Sequence, residues 1–444
     1  MKAKLIPALL LSIGIVACGG GGGSSEPEIP PPPPAPAKSA KFAVISDPHV
    51  YDTAALGVNA DFEAYLLQDR KMVKESIEIL DAVIDDFKGS ALDFVLIPGD
   101  LTKDGEKINH QVLAKKLADI EAQDKKVFVI PGNHDILNPD AKSYLGITSK
   151  TPSVSPTEFA DIYKEYGFGE AIYKDPNGTL SYIAEPVTGV WLFAIDSCLY
   201  ATDSTRPITG GRIKPETQAW IIEKLKEAKQ LGKQVIGMMH HGIIEHYNGQ
   251  VQFFPEYVIK DHASIGKNLA DNGLNVVFTG HYHANDVSKK DFGSSVLYDV
   301  ETGSTVTAPS PYRLVDYDIA GKKFDIRTRT VQSIASRPAD FASYAKTYLV
   351  DGLRILATGM LQGAFKLNAT EAAQYAPLFA DAFTAHYAGD EKPTVETQQT
   401  IGGLLAKKES DPRLYGMGMV LGSLWTDLAP PDNTLTIQLE NSKN

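Results

Sequence analysis

The chain has 444 residues, 43% of them apolar, and a formal net charge of −12 at pH 7. This length allows a catalytic domain with an appended region, and the apolar content is ample for a sizeable core. The acidic balance argues against long nucleic acids as partners, because these bind to cation-rich grooves. The two cysteines form no disulfide framework: we expect Cys18 to be lipidated and Cys198 to be a buried, inert thiol.

The amino terminus has the pattern of a bacterial lipoprotein signal. Residues 1–17 contain two lysines and an apolar segment too short to span a membrane, and residues 15–18 (Ile-Val-Ala-Cys) have the form of a lipobox. A simple cleaved signal peptide is the alternative. Residues 18–40, rich in Gly and Pro, predict a tether. We expect Cys18 to anchor the protein to a bacterial membrane. Gly19 after it favours the outer membrane, with the protein facing the periplasm or the cell surface.

Five apolar segments predict buried strands, and each is followed by polar residues that can bind metals. The segments cover residues 41–46, 94–98, 127–131, 235–239 and 276–279. The polar residues after them are Asp47-Pro48-His49, Gly99-Asp100, Gly132-Asn133-His134-Asp135, His240-His241 and Gly280-His281-Tyr282-His283. In open α/β sheets the reactive crevice lies outside the carboxyl ends of the strands, so we expect these residues to meet there.

The rest of the chain predicts an α/β fold followed by helices. Helical periodicity covers residues 63–87, 106–123, 215–231 and 256–272, and further strands are predicted over 191–195, 294–300, 312–319 and 323–330. Later segments, over 341–361, 369–387 and 394–407, are helical in pattern. We therefore divide the chain into a catalytic domain over residues 41–330 and a helical carboxy-terminal region over residues 331–444.

The residue types after the strands predict two transition metal ions. Imidazole and carboxylate together suit Mn, Fe or Zn, whereas Mg and Ca sites are built from oxygens. Two cations about 3.5–4 Å apart can clamp the attacking and leaving oxygens of a phosphoryl group. A lone histidine at a strand end is usually a packing residue, but independent turns would not reproduce all five groups in order. We interpret His110, His262 and His386 as surface or packing residues, while His241 and His246 are candidates for substrate contact.

Together the five groups have the order D-x-H, G-D, G-N-H-[DE], H and G-H-x-H. This order resembles the calcineurin-like metallophosphoesterase superfamily over roughly residues 41–310. The resemblance implies a four-layer α-β-β-α sandwich. It also implies hydrolysis of phosphomonoesters or phosphodiesters, including nucleotides, by a hydroxide that bridges two metal ions.

The resemblance further implies a role for each polar residue. The first metal would be bound by Asp47, His49 and His283, the second by Asn133, His240 and His281, and both by Asp100. His134 would act as the catalytic acid near the leaving group. His240 is preferred to His241 because it is the first histidine after its strand.

The sequence differs at two positions from one branch of the superfamily, and these differences narrow the range of expected functions. Protein Ser/Thr phosphatases have an Asp three residues after the bridging Asp, and a Glu after Gly-Asn-His. Here Lys103 and Asp135 stand at these positions, and Asp104 comes one residue later. This argues against a phosphoprotein phosphatase. The carboxylate that orients His134 is either Asp104 or Asp135.

Two further questions stay open at this point. Arg206 and Arg212 belong either to a phosphate-facing rim or to a solvated loop. The alternative to an enzyme is a non-catalytic binding lipoprotein that keeps the metallophosphoesterase frame. The complete ligand set favours the enzyme, with a small phosphoester as substrate.

Overall fold

A computed structural model of the protein describes residues 35–201 and 204–440, so Cys18 and most of the predicted tether lie outside the described residues. The strands are β1 Ser39–Val44, β2 Phe94–Ile97, β3 Lys126–Val129, β4 Lys142–Ser143, β5 Ser149–Lys150, β6 Tyr173–Lys174, β7 Tyr182–Ala184, β8 Val190–Ile195, β9 Gln234–Met239, β10 Val276–Thr279, β11 Val287–Asp291, β12 Val296–Glu301, β13 Pro311–Asp318, β14 Lys323–Thr330 and β15 Thr434–Gln438. The α-helices are α1 Thr53–Leu56, α2 Ala60–Leu66, α3 Ser76–Asp86, α4 Lys107–Glu121, α5 Pro156–Ile162, α6 Pro215–Gln230, α7 Gln250–Phe253, α8 His262–Asp271, α9 Phe341–Gly363, α10 Ala369–Ala388, α11 Val395–Leu405 and α12 Pro412–Leu424.

Two large sheets contain the predicted strands. One sheet has the order β15-β14-β13-β1-β2-β3, and the other has the order β11-β12-β10-β9-β8-β7-β6. The central neighbours β1, β2 and β3 are parallel, as are β8, β9, β10 and β12. Parallel strands end at the same edge of a sheet, so the polar residues after β1, β2 and β3 emerge together, and so do those after β9 and β10.

The central strands β2, β8 and β10 are buried along their whole length because both faces of each sheet are covered there. In β8, Leu192 and Ala194 face the core shared by the two sheets, while Trp191 and Phe193 pack with residues of α6 and α8 on the outer face. A contact between Phe42 of β1 and Phe278 of β10, with ring centroids 5.2 Å apart, joins the two sheets. This layering confirms the predicted four-layer α/β fold.

The region after residue 331 contains helices α9 to α12, which confirms the predicted helical appendage. Their buried residues, among them Leu349, Leu361 and Phe379, belong to the same core as the sheets. The sequence analysis did not predict β15, which follows these helices and pairs antiparallel with β14. None of the described helices is long and apolar enough to cross a membrane.

Two predicted helices are wrong in their extent. The helix expected over residues 63–87 is broken after Leu66, and the segment 67–72 separates α2 from the turn before α3. The helix expected over residues 256–272 begins at His262, because Val258 and Ile259 are extended along the loop after β9, where the Ile259 amide donates to the Gly242 carbonyl. In both cases tertiary contacts override a helical pattern.

Candidate metal centre

The carboxyl ends of β1, β2, β3, β9 and β10 bring all seven predicted ligands together. The residues form two groups: Asp47, His49, Asp100 and His283 in one, and Asp100, His240 and His281 in the other. Within each group the candidate donor atoms lie within 4.8 Å of one another. The amide oxygen of Asn133 joins the second group, 3.0 Å from Nε2 of His240. Asp100 is the residue that the two groups share.

The backbone at this centre has an unusual conformation. Positive φ angles occur at Asp47 (48°), His49 (40°), Asp100 (46°), His281 (81°) and His283 (68°). Non-glycine residues rarely adopt such angles, and those that do cluster at functional sites. The glycines before Asp100 and Asn133 permit a close approach, because a Cβ at Gly132 would overlap the backbone of Asp100.

Hydrogen bonds orient the imidazole rings for metal binding. The Nδ1 atom of His240 lies 2.8 Å from the carbonyl oxygen of Pro98, so it carries the proton and donates it. The Nε2 lone pair then faces oxygen acceptors: Oδ1 of Asn133, at 3.0 Å, and Oδ1 of Asp100, at 3.4 Å. Acceptors repel one another at these distances unless a cation lies between them. The donor set therefore fits a metal ion, with a carbonyl partner of the kind that metal-bound histidines usually have.

The burial of the centre keeps its histidines neutral. Burial lowers the pKa of His49, His281 and His283 well below the usual value, and Lys71 lowers that of His49 and His283 further. Burial and the adjacent carboxylate of Asp100 raise the pKa of Asp47 well above its usual value. Neutral imidazoles keep a lone pair for a metal, and a carboxylate in such a place is stabilised by a bound cation.

His134 stands beside this centre with a carboxylate partner. Its Nδ1 atom lies 2.9 Å from Oδ1 of Asp104, and its Nε2 atom lies 4.0 Å from Oδ2 of Asp100. Asp104 is therefore the carboxylate that orients His134. The other candidate, Asp135, instead accepts backbone N–H groups from Gly132, Leu101 and Thr102.

Asp104 is in turn paired with Lys103, a fully buried side chain whose ammonium lies 4.2 Å from the centre of the Tyr65 ring. Burial alone would raise the pKa of Asp104, but Lys103 and His134 outweigh it and hold the pKa well below its usual value. Burial alone would lower the pKa of His134, but the neighbouring carboxylates of Asp100 and Asp104 outweigh this effect and raise it. The chain Lys103–Asp104–His134 thus favours a protonated imidazole.

The other histidines are placed differently. His241 uses both ring nitrogens, on Oγ of Ser197 at 2.8 Å and on the carbonyl oxygen of Thr209 at 2.9 Å, which agrees with the preference for His240. His110 is buried between the carbonyl oxygen of Asp135 and the hydroxyl of Tyr163. His246 and His386, expected at the substrate and in packing respectively, lie together in a separate buried cluster.

A cleft of about 570 Å³ opens onto the metal centre and contains cations that the sequence analysis missed. Arg70 and Lys71, from the segment that breaks the predicted helix, line it together with Arg206, His134 and the metal-centre residues. Lys71 is buried, with its ammonium 3.6 Å from the nearest oxygen of Asp69, and Nε of Arg70 has no hydrogen-bond partner. Arg206 belongs to the rim, whereas Arg212 is exposed. The helical periodicity of residues 63–87 concealed the break in which Arg70 and Lys71 lie, so no sequence signal pointed to these two residues.

Comparison with known families shows which family the chain belongs to. A family model described as calcineurin-like phosphoesterase matches residues 40–285, more than half of the chain. The chain belongs to the calcineurin-like phosphoesterase family. Among curated proteins no significant match was found.

Three solved structures of hydrolases are similar to this chain at low sequence identity, each with a TM-score below 0.5. A dimetal phosphatase from Danio rerio is 12% identical, with a TM-score of 0.47, over 66% of this chain and 96% of that one. A purple acid phosphatase from yellow lupin seeds (Lupinus luteus) is 13% identical, with a TM-score of 0.44, over 67% of this chain and 53% of that one. The phosphopantetheinyl hydrolase from Mycobacterium tuberculosis is 12% identical, with a TM-score of 0.30, over 60% of this chain and 90% of that one.

Proposed function

We propose that this calcineurin-like phosphoesterase hydrolyses small phosphomonoesters or phosphodiesters with two transition metal ions. The observation that carries the proposal is the pair of donor groups that share Asp100. We assign Asp47, His49 and His283 to one ion, and Asn133, His240 and His281 to the other, with Asp100 between them. Nitrogen and oxygen donors without sulfur favour Mn, Fe or Zn.

When bound, the two ions supply Lewis-acid stabilisation of the phosphoryl oxygens and lower the pKa of the attacking water towards about 7. The protein holds the ligands in place through its strained backbone turns and the hydrogen bonds behind the rings. Because the ligands are placed before substrate arrives, little reorganisation is needed during the reaction.

His134 is the residue we assign to the leaving group. With Nδ1 bonded to Asp104, its second nitrogen, Nε2, is the one that can hold a transferable proton on the cleft side. A protonated imidazole here donates to the departing oxygen as the ester bond breaks. Asp104 keeps the ring in the correct orientation, and Lys103 keeps Asp104 ionised.

Arg70 and Lys71 are the residues we assign to substrate binding. Both line the cleft beside the metal centre, and the single carboxylate of Asp69, 3.6 Å from the Lys71 ammonium, balances only one of the two positive charges. A buried cation in such a place binds an anionic oxygen strongly, because a charge-assisted hydrogen bond compensates for its desolvation. The substrate therefore carries anionic phosphate oxygens within reach of this pair. The α9 helix supports the segment, since Gly352 packs closely against the carbonyl of Asp69.

The test is a substrate panel with added Mn: aryl phosphates, aryl phosphodiesters, nucleotides, cyclic nucleotides and phospholipid headgroups. The wild type should turn over at least one of these classes. Asp100→Asn should lose bound metal and abolish hydrolysis, because the shared carboxylate holds both ions. Asp119→Asn, a matched change at an exposed position of α4, should keep both. If the metal-loaded wild type turns over none of the panel, the binding-module alternative replaces the enzyme.

We also propose that lipidation at Cys18 anchors the enzyme to a bacterial membrane, with the outer membrane favoured. The support is the lipobox and the Gly- and Pro-rich segment after it. Hydrolysis would then take place at the periplasmic or outer surface of that membrane. Cys198, which is half-buried after β8, follows no such signal sequence.

A further inference from the structure

A second cluster of metal-binding side chains lies apart from the dinuclear centre. His246, Asp286 and His386 place candidate donor atoms within 4.8 Å of one another, and each side chain is at most 1% exposed. Two more buried carboxylates adjoin them. Oε2 of Glu301 is 2.8 Å from Nε2 of His246, and Oε1 of Glu391 is 2.8 Å from Nδ1 of His386.

The donor atoms of this cluster lack partners of their own. Both ring nitrogens of His246, Nε2 of His386 and Oε2 of Glu301 are buried without a hydrogen bond. The close contact between His246 and Glu301 does not have hydrogen-bond geometry, so it satisfies neither group. Buried polar atoms are nearly always paired, and several orphaned atoms within one buried cluster indicate a missing partner.

The charges of the cluster identify that partner as a cation. Asp286, Glu301 and Glu391 bring three carboxyl groups into a site shielded from water. The nearby guanidinium of Arg313 offsets part of this charge, but it donates its hydrogen bonds to the backbone carbonyl oxygens of Asp286, Glu301 and Asp432 and leaves the carboxylate oxygens free to bind a cation. Burial also raises the pKa of Asp286 and Glu301 well above the usual value, as expected for carboxyl groups that lack a counter-ion.

His386 is hydrogen-bonded to a carboxylate in the way that metal-binding histidines usually are. Nδ1 of His386 donates to Glu391, which leaves the Nε2 lone pair directed into the cluster. In a metal-bound histidine, the ring nitrogen that does not bind the metal usually donates a hydrogen bond to a group such as a carboxylate, which orients the ring. Burial lowers the pKa of His246 to about 3, so this ring is also neutral and able to ligate.

We propose that His246, Asp286, Glu301 and His386 bind a third metal ion, a divalent cation of the zinc class. Two imidazoles and the Asp286 carboxylate supply three donors within reach of one another, and Glu301, which contacts His246, is the candidate for the fourth position of a tetrahedral site. A buried site with four protein ligands is structural and not catalytic. The four residues come from the loop after β9, the segment before β11, the end of β12 and the last turn of α10. The ion therefore fastens the helical carboxy-terminal region to the catalytic domain.

This third site lies directly behind the dinuclear centre. Tyr282, which stands between His281 and His283 in the chain, has its ring centroid 5.4 Å from that of His386. The carboxylate of Glu301 also accepts the amide of Ala284, the residue after His283. An ion held here would keep the turn that carries His281 and His283 in place.

The test uses the full-length protein extracted in detergent and loaded with zinc. Asp286→Asn and His386→Gln should each bind one ion per chain fewer than the wild type. His110→Gln, a matched change at a buried histidine whose nitrogens are already hydrogen-bonded, should bind as many as the wild type. Asp100→Asn should lose the dinuclear ions and keep this one, and the double variant Asp100→Asn/Asp286→Asn should lose it. Added zinc should raise the Tm of Asp100→Asn but not of the double variant.

The two proposals fail in different ways. If Asp100→Asn loses metal but Asp286→Asn and His386→Gln bind as much zinc as the wild type, the third site is wrong and the dinuclear site stands. Crystals of the zinc-loaded wild type provide a test that needs no variant. An anomalous peak about 2.0–2.2 Å from His246 and His386 supports the site, and its absence overturns it even where a variant fails to fold.

Discussion

Nδ1 of His134 lies 2.9 Å from one oxygen of Asp104, and the other oxygen of that carboxylate pairs with the buried ammonium of Lys103. The pair fixes the orientation of the imidazole and leaves its second nitrogen free. It replaces the carboxylate that protein Ser/Thr phosphatases carry one residue earlier, where this chain has Lys103.

His134→Ala should keep the metals bound but lower kcat about 10²–10⁴-fold for an ester with a poor leaving group. With an activated aryl phosphoester the loss should be smaller, because that leaving oxygen needs little protonation. The measurement is kcat across a series of leaving groups, with metal content determined on the same samples. An equal loss for all leaving groups would remove His134 from the role of acid.

Asp104→Asn should lower kcat about 10- to 100-fold, the cost typical of losing the partner that orients a functional histidine. KM should change little, since Asp104 does not contact the cations assigned to substrate binding. Asp119→Asn, exposed on α4, is the control and should have wild-type kcat. A normal kcat for Asp104→Asn would mean that the hydrogen bond to His134 has no catalytic consequence.

Arg70→Gln and Lys71→Gln should each reduce kcat/KM about 10- to 100-fold, because a hydrogen bond to a charged group contributes about 1.5–3 kcal/mol. Bound metal should be unchanged. The control is Lys74→Gln in the same segment, where the native ammonium pairs with Glu63 away from the cleft. Unaltered kinetics in both Arg70 and Lys71 variants would place the substrate elsewhere in the cleft.

Cys18→Ser should release the protein from membranes, because the acyl chains supply the binding energy and the tether supplies none. Cell fractionation with immunodetection measures this directly. Cys198→Ser, which changes the other cysteine, should remain in the membrane fraction. Continued membrane association of Cys18→Ser would contradict the lipoprotein assignment.

His110 should make the fold sensitive to mild acid. Burial lowers its pKa to about 4 in the folded protein, whereas an unfolded histidine titrates near 6.5. As pH falls from 6.5 to 4 the unfolded state binds the proton first, so stability is lost, by up to about 3 kcal/mol. Urea denaturation at several pH values should show a shallower loss for His110→Gln than for the wild type, with His262→Gln as the control. Parallel curves for all three proteins would show that His110 does not contribute.

The sequence predicted the parts of the molecule that depend on local patterns. The apolar runs before Asp47, Asp100 and Asn133 are strands, and parallel pairing brings these residues to one edge of the sheet. Other features were beyond such reasoning. The helical periodicity across residues 63–87 hid the break at which Arg70 and Lys71 turn towards the cleft. Gly352 of α9 packs against the carbonyl of Asp69, and the amide of Met72 donates to the carbonyl of Val306. Neither long-range contact is visible in a local window.

The cluster around His246 and His386 was equally impossible to predict from local sequence patterns. His246 and His386 are far apart in the chain, and each looks like an ordinary packing histidine until the fold brings them together. The choice between Asp104 and Asp135 as the partner of His134 also required the structure. In both cases the outcome depends on the direction in which a side chain points from the backbone. Residue spacing alone does not determine that direction.

The pairing of β15 with β14 has a consequence for how the protein is made. β14 leaves the ribosome before all four carboxy-terminal helices, and β15 follows only after them. Until then the edge of β14 has unpaired N–H and C=O groups, which can pair with a strand of another chain. A form truncated at residue 330 would keep that edge permanently open, and we expect it to aggregate. Completion of this sheet therefore waits until the helical region has been synthesised, and we expect that this region cannot be removed as an independent module.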